Sequence, residues 1–182
     1  MENETSFWKR NQLSVVLLIG GLLLLVLLKT QLGTGPHPLE GREAPVFTAR
    51  ILDGGTLDLT SHRNTRVVVL DFFATWCPPC REGLPVMAAL AKEYKGRAAV
   101  YAVNLRESPQ EVRAFLEQEG ITIPVAIDSG RIADLYRVSA IPQTVIIGKN
   151  GFIRKVHVGL PRNPYDTFKA GIDAVLASAS PE

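Results

Sequence analysis

Cysteine is nearly absent: Cys77 and Cys80 are the only two in 182 residues. That scarcity excludes both the multi-disulfide framework of small secreted scaffolds and a four-cysteine zinc centre. Histidine does not make up the deficit, since His37, His62 and His157 are the only three and no two have H-x₃₋₅-H spacing. No metal site is expected. Charge of one sign is lacking as well, for the formal net charge is +2 and Lys and Arg are scattered. A nucleic-acid surface and a polybasic tail are thereby excluded. Internal repeats and low-complexity tracts are missing too. What remains, 46% hydrophobic and 21% charged residues, is material for one ordinary globular core.

The hydrophobic residues are unevenly spread. Leu13 to Leu28 carries no charge and is fenced by Lys9-Arg10 before it and Lys29 after it. As a helix it spans about 24 Å, against a hydrocarbon core of about 30 Å. Flanking Lys and Arg that snorkel, with local thinning of the bilayer, allow one crossing. The following KTQLGTGPHPLEG has no A-x-A-like cleavage site, so an uncleaved anchor over residues 1–29 is preferred to a cleaved signal peptide. A buried core helix is a poor third reading, because all-round apolarity needs a larger core than this chain can build. Lys9 and Arg10 put the amino terminus in the cytoplasm. The globular domain is then expected on the extracytoplasmic, periplasmic side of a single-pass cytoplasmic-membrane protein.

Residues 30–41, rich in Gly, Pro and Thr, read as a linker, and the domain is expected over 42–179. Phe47 to Ile51 and Leu57 to Leu59 around Asp53-Gly54-Gly55 predict an amino-terminal β-hairpin. Arg66 to Ala74 (RVVVLDFFA) reads as a strand buried on both faces. A helix from Pro79 to about Tyr94 follows, then a strand over Ala98 to Leu105, and a helix opened by the capping box of Ser108-Pro-Gln-Glu111. Val125 to Ile127, Arg131 to Tyr136, the hairpin of Thr144 to Ile147 with Phe152 to Val158, and a helix over Tyr165 to Ala177 complete the order. The pattern predicts an α/β fold with a mixed central β-sheet flanked by helices on both faces.

The stretch ATWCPPCREGLP therefore sits where a buried strand turns into a helix. A structural staple is a poor reading, because a loop of two residues removes little unfolded-state entropy. Redox chemistry fits better. A cysteine at a helix start has backbone N–H groups and the positive helix end near its sulfur, which lowers its pKa below about 8.5. Cys77 is then the attacking thiolate. Cys80, one turn on and more buried, is placed to attack Cys77 Sγ and resolve a mixed disulfide. Arg81 adds a nearby positive charge, or is simply a solvated helix residue.

The segment VVVLDFFATWCPPCREGLP resembles the active-site segment of thioredoxin-fold proteins, with Trp before the first cysteine and a helix proline, Pro85, after the second. VSAIPQTVII looks like the loop that carries the cis-proline of that fold. With the opening GREAPVFTARILDGGTLDL, the segment VYAVNLRES and a central insertion through Val125 to Asp128, the chain resembles membrane-anchored thiol-disulfide oxidoreductases of the ResA/TlpA type. The resemblance implies a thioredoxin-like fold and a redox-active disulfide Cys77–Cys80 that needs no other cofactor. It also implies Cys77 and Cys80 as catalytic thiols, Asp71 as a buried carboxylate that takes a proton from Cys80, and Trp76, Ile141 and Pro142 as substrate-binding residues. Ordinary roles stand beside these: a turn proline for Pro142, a capping residue for Asp71. Many relatives have a glutamate where this chain has Gly83, and Glu82 is one residue early and about 100° round the helix.

The function this predicts is reduction of disulfides in extracytoplasmic proteins, with apocytochrome c among the substrates that the family implies and a transmembrane thiol carrier as electron donor. A general oxidant or isomerase, and a non-catalytic peptide-binding module, are the alternatives. A peroxidase would need Pro at position 70 and Thr or Ser at 74, where this chain has Leu70 and Ala74.

Overall fold

The computed structural model describes residues 15–27 and 36–178. The chain divides into two compact units, one ending at Pro36 and the other beginning at His37. In the first, residues 15–27 form helix α1 with exposed side chains. Among the described residues no helix is long and apolar enough to cross a membrane. The ends of the expected anchor, including Leu13, Leu28 and the flanking Lys9, Arg10 and Lys29, lie outside the described residues. So do residues 30–35 of the expected linker and residue 179.

The packed unit starts earlier than Arg42. Leu39 is buried, the Gly41 amide donates to the Ile153 carbonyl at 2.8 Å, and Glu40 Oε1 accepts from the Val156 amide at 2.9 Å. A single leucine among Gly and Pro carries no periodic signal, yet it is enough to dock the segment. Next comes the hairpin, β1 (Thr48–Arg50) antiparallel to β2 (Thr56–Asp58). Gly54 and Gly55 turn it at φ 101° and 82°, a backbone that favours glycine. The second strand stops one residue before Leu59, because the Asp58 carboxylate accepts from the Thr60 amide and hydroxyl. That cap starts a 3₁₀ turn over Leu59–His62 instead.

The central sheet has the order β5-β4-β3-β6-β7, built from β3 (Val67–Phe73), β4 (Ala98–Leu105), β5 (Val125–Asp128), β6 (Gln143–Ile147) and β7 (Ile153–Val158). β3 pairs parallel with β4 and antiparallel with β6, so the sheet is mixed. All of β3 is buried, and its alternation divides it between two cores. Val67, Val69 and Phe73 meet α2 (Pro78–Glu93), α3 (Pro109–Glu119) and α5 (Pro164–Ser178). Val68, Leu70 and Phe72 meet the hairpin and α4 (Arg131–Leu135) with its C-cap Tyr136. Each such large side chain contributes about 1.5–3 kcal/mol by its burial. The capping box is formed: Ser108 Oγ accepts from the Glu111 amide, and Glu111 Oε2 from the Ser108 amide. This is an α/β thioredoxin-like architecture with its amino-terminal hairpin laid on one face.

Candidate active site

β3 ends at Phe73, and beyond a short turn Cys77 caps α2 with extended backbone angles. Its amide donates to the Ala74 carbonyl at 3.2 Å, which closes the turn. Cys77 and Cys80 are joined as a disulfide with their Cα atoms 5.3 Å apart. Both are buried, at 3% and 1% exposure, so the oxidised pair shows little of the expected contrast between an open and a hidden sulfur. Trp76 beside them is 71% exposed.

The expected cradle of N–H groups around Cys77 Sγ is thinner than the helix start suggested. Pro78 and Pro79 occupy the first two helical positions and carry no N–H. The Cys80 and Arg81 amides both donate to the Cys77 carbonyl at 3.1 Å. The helix dipole is left to favour a thiolate there. Arg81 is not aimed at the sulfur either: its guanidinium pairs with Glu119 and lies 5.4 Å over the Phe115 ring. It is a surface link between α2 and α3.

Across from the disulfide, the Ile141–Pro142 bond is cis, and the Ile141 carbonyl oxygen lies 3.7 Å from Cys77 Sγ. The antiparallel pairing of β3 with β6 carries this loop to the cysteines, and the Pro142 carbonyl accepts from the Gly159 amide at 2.8 Å. Trp76, Ile141, Val138, Arg106, Glu107 and Asp134 line an open groove of about 470 Å³ alongside. The groove gathers residues from several separate segments of the chain.

Asp71 is 2% exposed, and strand alternation puts it with Val69 and Phe73 on the face covered by the cysteine-bearing helix. Thr144, its cross-strand neighbour, donates a 2.8 Å hydrogen bond to Oδ1. Burial pushes the carboxyl up from 3.8 to about 7, and the Thr144 bond opposes that only in part. A group that titrates there can accept or release a proton near neutral pH.

Two further residues shape the site, and the first of them did not stand out in the sequence. Glu107 accepts from the Thr75 amide at 2.8 Å, the Thr75 hydroxyl at 2.5 Å and Asn104 Nδ2 at 2.6 Å, and so holds the turn before Trp76 and Cys77. A lone glutamate after a strand carries no local signal of that task. Gly83 is buried against Leu160, whose Cδ1 lies 2.9 Å from where a Cβ would stand. The position where the resemblance suggests a glutamate is thus filled by packing here, and Glu82 is exposed to solvent.

A family model described as the AhpC/TSA family matches residues 41–156. Thioredoxin-like protein YneN of Bacillus subtilis is 40% identical over 123 residues, 66% of this chain and 72% of the relative. Thiol-disulfide oxidoreductase ResA of Halalkalibacterium halodurans is 31% identical over 161 residues, 87% of this chain and 90% of the relative. Among solved structures, a DsbE candidate of Chlorobium tepidum, a thiol:disulfide interchange protein, superposes with a TM-score of 0.68 at 34% identity, covering 75% of this chain and 97% of that one. These likenesses agree with a disulfide set on a strand-to-helix turn. The chain belongs to the AhpC/TSA family of thioredoxin-like proteins, as a thiol-disulfide oxidoreductase of the ResA/TlpA type.

Proposed function

We propose that the protein is tethered to the cytoplasmic membrane by its amino-terminal apolar segment and reduces protein disulfides on the extracytoplasmic side, those of apocytochrome c among them. The observation that carries the reading is the Cys77–Cys80 disulfide facing the Ile141 carbonyl beside an open groove lined by exposed Trp76. An extended peptide has room there to bring a disulfide to Cys77.

In the reduced enzyme the Cys77 thiolate attacks one substrate sulfur. The substrate S–S bond breaks, one substrate thiolate leaves, and a mixed disulfide forms. Cys80 then gives its proton to Asp71 and attacks Cys77 Sγ, which releases the second substrate thiolate. Two electrons have passed to the substrate, and the Cys77–Cys80 bond has formed. A transmembrane thiol carrier returns the pair to the dithiol. Ile141 borders the substrate path, buried Pro142 fixes the turn behind it, and Trp76 supplies its apolar wall.

Equilibration of the protein against thiol redox buffers, read by alkylation of Cys77 and Cys80, tests the direction. A potential near or below about −250 mV supports a reductase, whereas one near about −120 mV makes the protein a disulfide donor. The peroxidase reading is opposed by Leu70 and Ala74, both buried on the approach to this turn, where that chemistry needs Pro and Thr or Ser. Loss of exchange in Cys77→Ser separates an enzyme from a binding module.

A further inference from the structure

A second cavity lies next to the groove beside Trp76. Arg106 and Glu107 line both. The second is open and about 1110 Å³ in volume, bounded by the β1–β2 hairpin on one side and the junction of β5 with α4 on the other.

Cations outnumber acids in its ionic lining, three to two. Arg50, Arg106 and Arg131 border it and are all exposed, and none takes part in an ion pair among the described residues. The two acids at its wall are already occupied. Glu107 is held by Thr75 and Asn104, and both oxygens of Asp128 accept backbone amides, from Ile132 at 3.0 Å and Ala133 at 2.9 Å. These neutral donors fix both carboxylates without cancelling their charge, so three guanidiniums against two carboxylates leave the lining one net positive charge.

Arg106 is also held in an unusual backbone. Its φ is 60°, a left-handed conformation that costs a non-glycine residue about 1–2 kcal/mol. Its amide is tied to the Asp128 carbonyl at 2.8 Å. The guanidinium lies so close to Gly130 that a Cβ there would be 2.5 Å from Nε, so only glycine leaves it this place. Arg131 Nη2 reaches the Thr48 carbonyl at 3.5 Å, which keeps its head on the hairpin side.

We infer that this cavity is a subsite for substrate carboxylates, so that the enzyme prefers disulfides flanked by acidic residues. The inference rests on the proposed exchange with polypeptides in the Trp76 groove. A segment leaving that groove meets Arg106 first and Arg50 and Arg131 beyond it. Guanidinium forks bind carboxylates bidentately. The cavity is wide and wet, which suits a polypeptide that brings its own surface to close it. A small free anion would stay hydrated and screened there.

The test uses the full chain, reduced, with two peptides that each hold one C-x-x-C disulfide, flanked by glutamates in one and by glutamines in the other. Exchange followed by tryptophan fluorescence should be about tenfold faster for the glutamate peptide at low ionic strength, the factor one charge-assisted contact supplies. The ratio should shrink in high salt. In the double variant Arg50→Gln with Arg131→Gln it should drop about threefold or more, to the preference Arg106 alone retains, with the glutamine peptide's rate unchanged, which also reports an intact fold. A ratio of one in the parent protein, or a ratio undiminished in the double variant, overturns the subsite. If neither peptide is reduced, the exchange reading itself fails. Calorimetric binding of the same peptides with serine in place of cysteine then decides the subsite separately: tighter binding of the glutamate peptide supports it and equal binding refutes it.

Discussion

Replacing Asp71 by asparagine leaves an oxygen to accept from Thr144 Oγ1 but removes the ionisable group. Unfolded, Asp71 loses its proton near 3.8; folded, it does so near 7 because burial penalises the charge. Between those values unfolding releases a proton, so the contribution of Asp71 to stability falls as pH rises through the window and is fully lost above about 7. At about 1.4 kcal/mol per pH unit the native protein gives up about 4 kcal/mol that the asparagine variant keeps. Guanidinium unfolding of both proteins with the disulfide intact, at pH 4 and pH 8, measures this by linear extrapolation. The variant's stability relative to the parent should rise by about 4 kcal/mol from the lower to the higher pH. Parallel pH profiles would refute the reasoning, since they would mean that Asp71 is no harder to ionise folded than unfolded. The same variant should also slow resolution of a mixed disulfide if Asp71 takes the Cys80 proton.

Three further outcomes are expected. Cys80→Ser should accumulate a covalent mixed disulfide through Cys77 when given a disulfide peptide, visible by mass spectrometry under non-reducing conditions; a variant that traps no adduct would deny Cys77 its role. Glu107→Ala leaves the Thr75 amide and Asn104 Nδ2 without their carboxylate and should cost about 1–3 kcal/mol in denaturant unfolding; Glu107→Gln, which can keep an acceptor, should cost less. Ser108→Ala removes the side-chain acceptor of the capping box and should lower stability by about 1 kcal/mol, with exchange rates unaltered.

Whatever a short window of residues decides is legible in the amino-acid sequence. VVVLDFF is a strand buried on both faces because no alternation of polar residues leaves it a wet side. Ser108 and Glu111 open a helix because their bonds join residues three apart. Cys77 and Cys80 fall on a strand-to-helix turn for equally local reasons, and their pairing needs only one turn of helix. The remaining features depend on how distant segments pack. The Ile141 carbonyl meets Cys77 across 64 residues only because β6 lies beside β3. Glu107 reaches Thr75 only because β4 pairs parallel with β3, so that the ends of both strands come out on the same edge. Arg50, Arg106 and Arg131 share a cavity because the hairpin folds onto the β5 side of the sheet, where Ile51 bridges to Ala126. No local pattern encodes such meetings, because hydrophobic periodicity says which face of an element is buried and not which distant segment covers it.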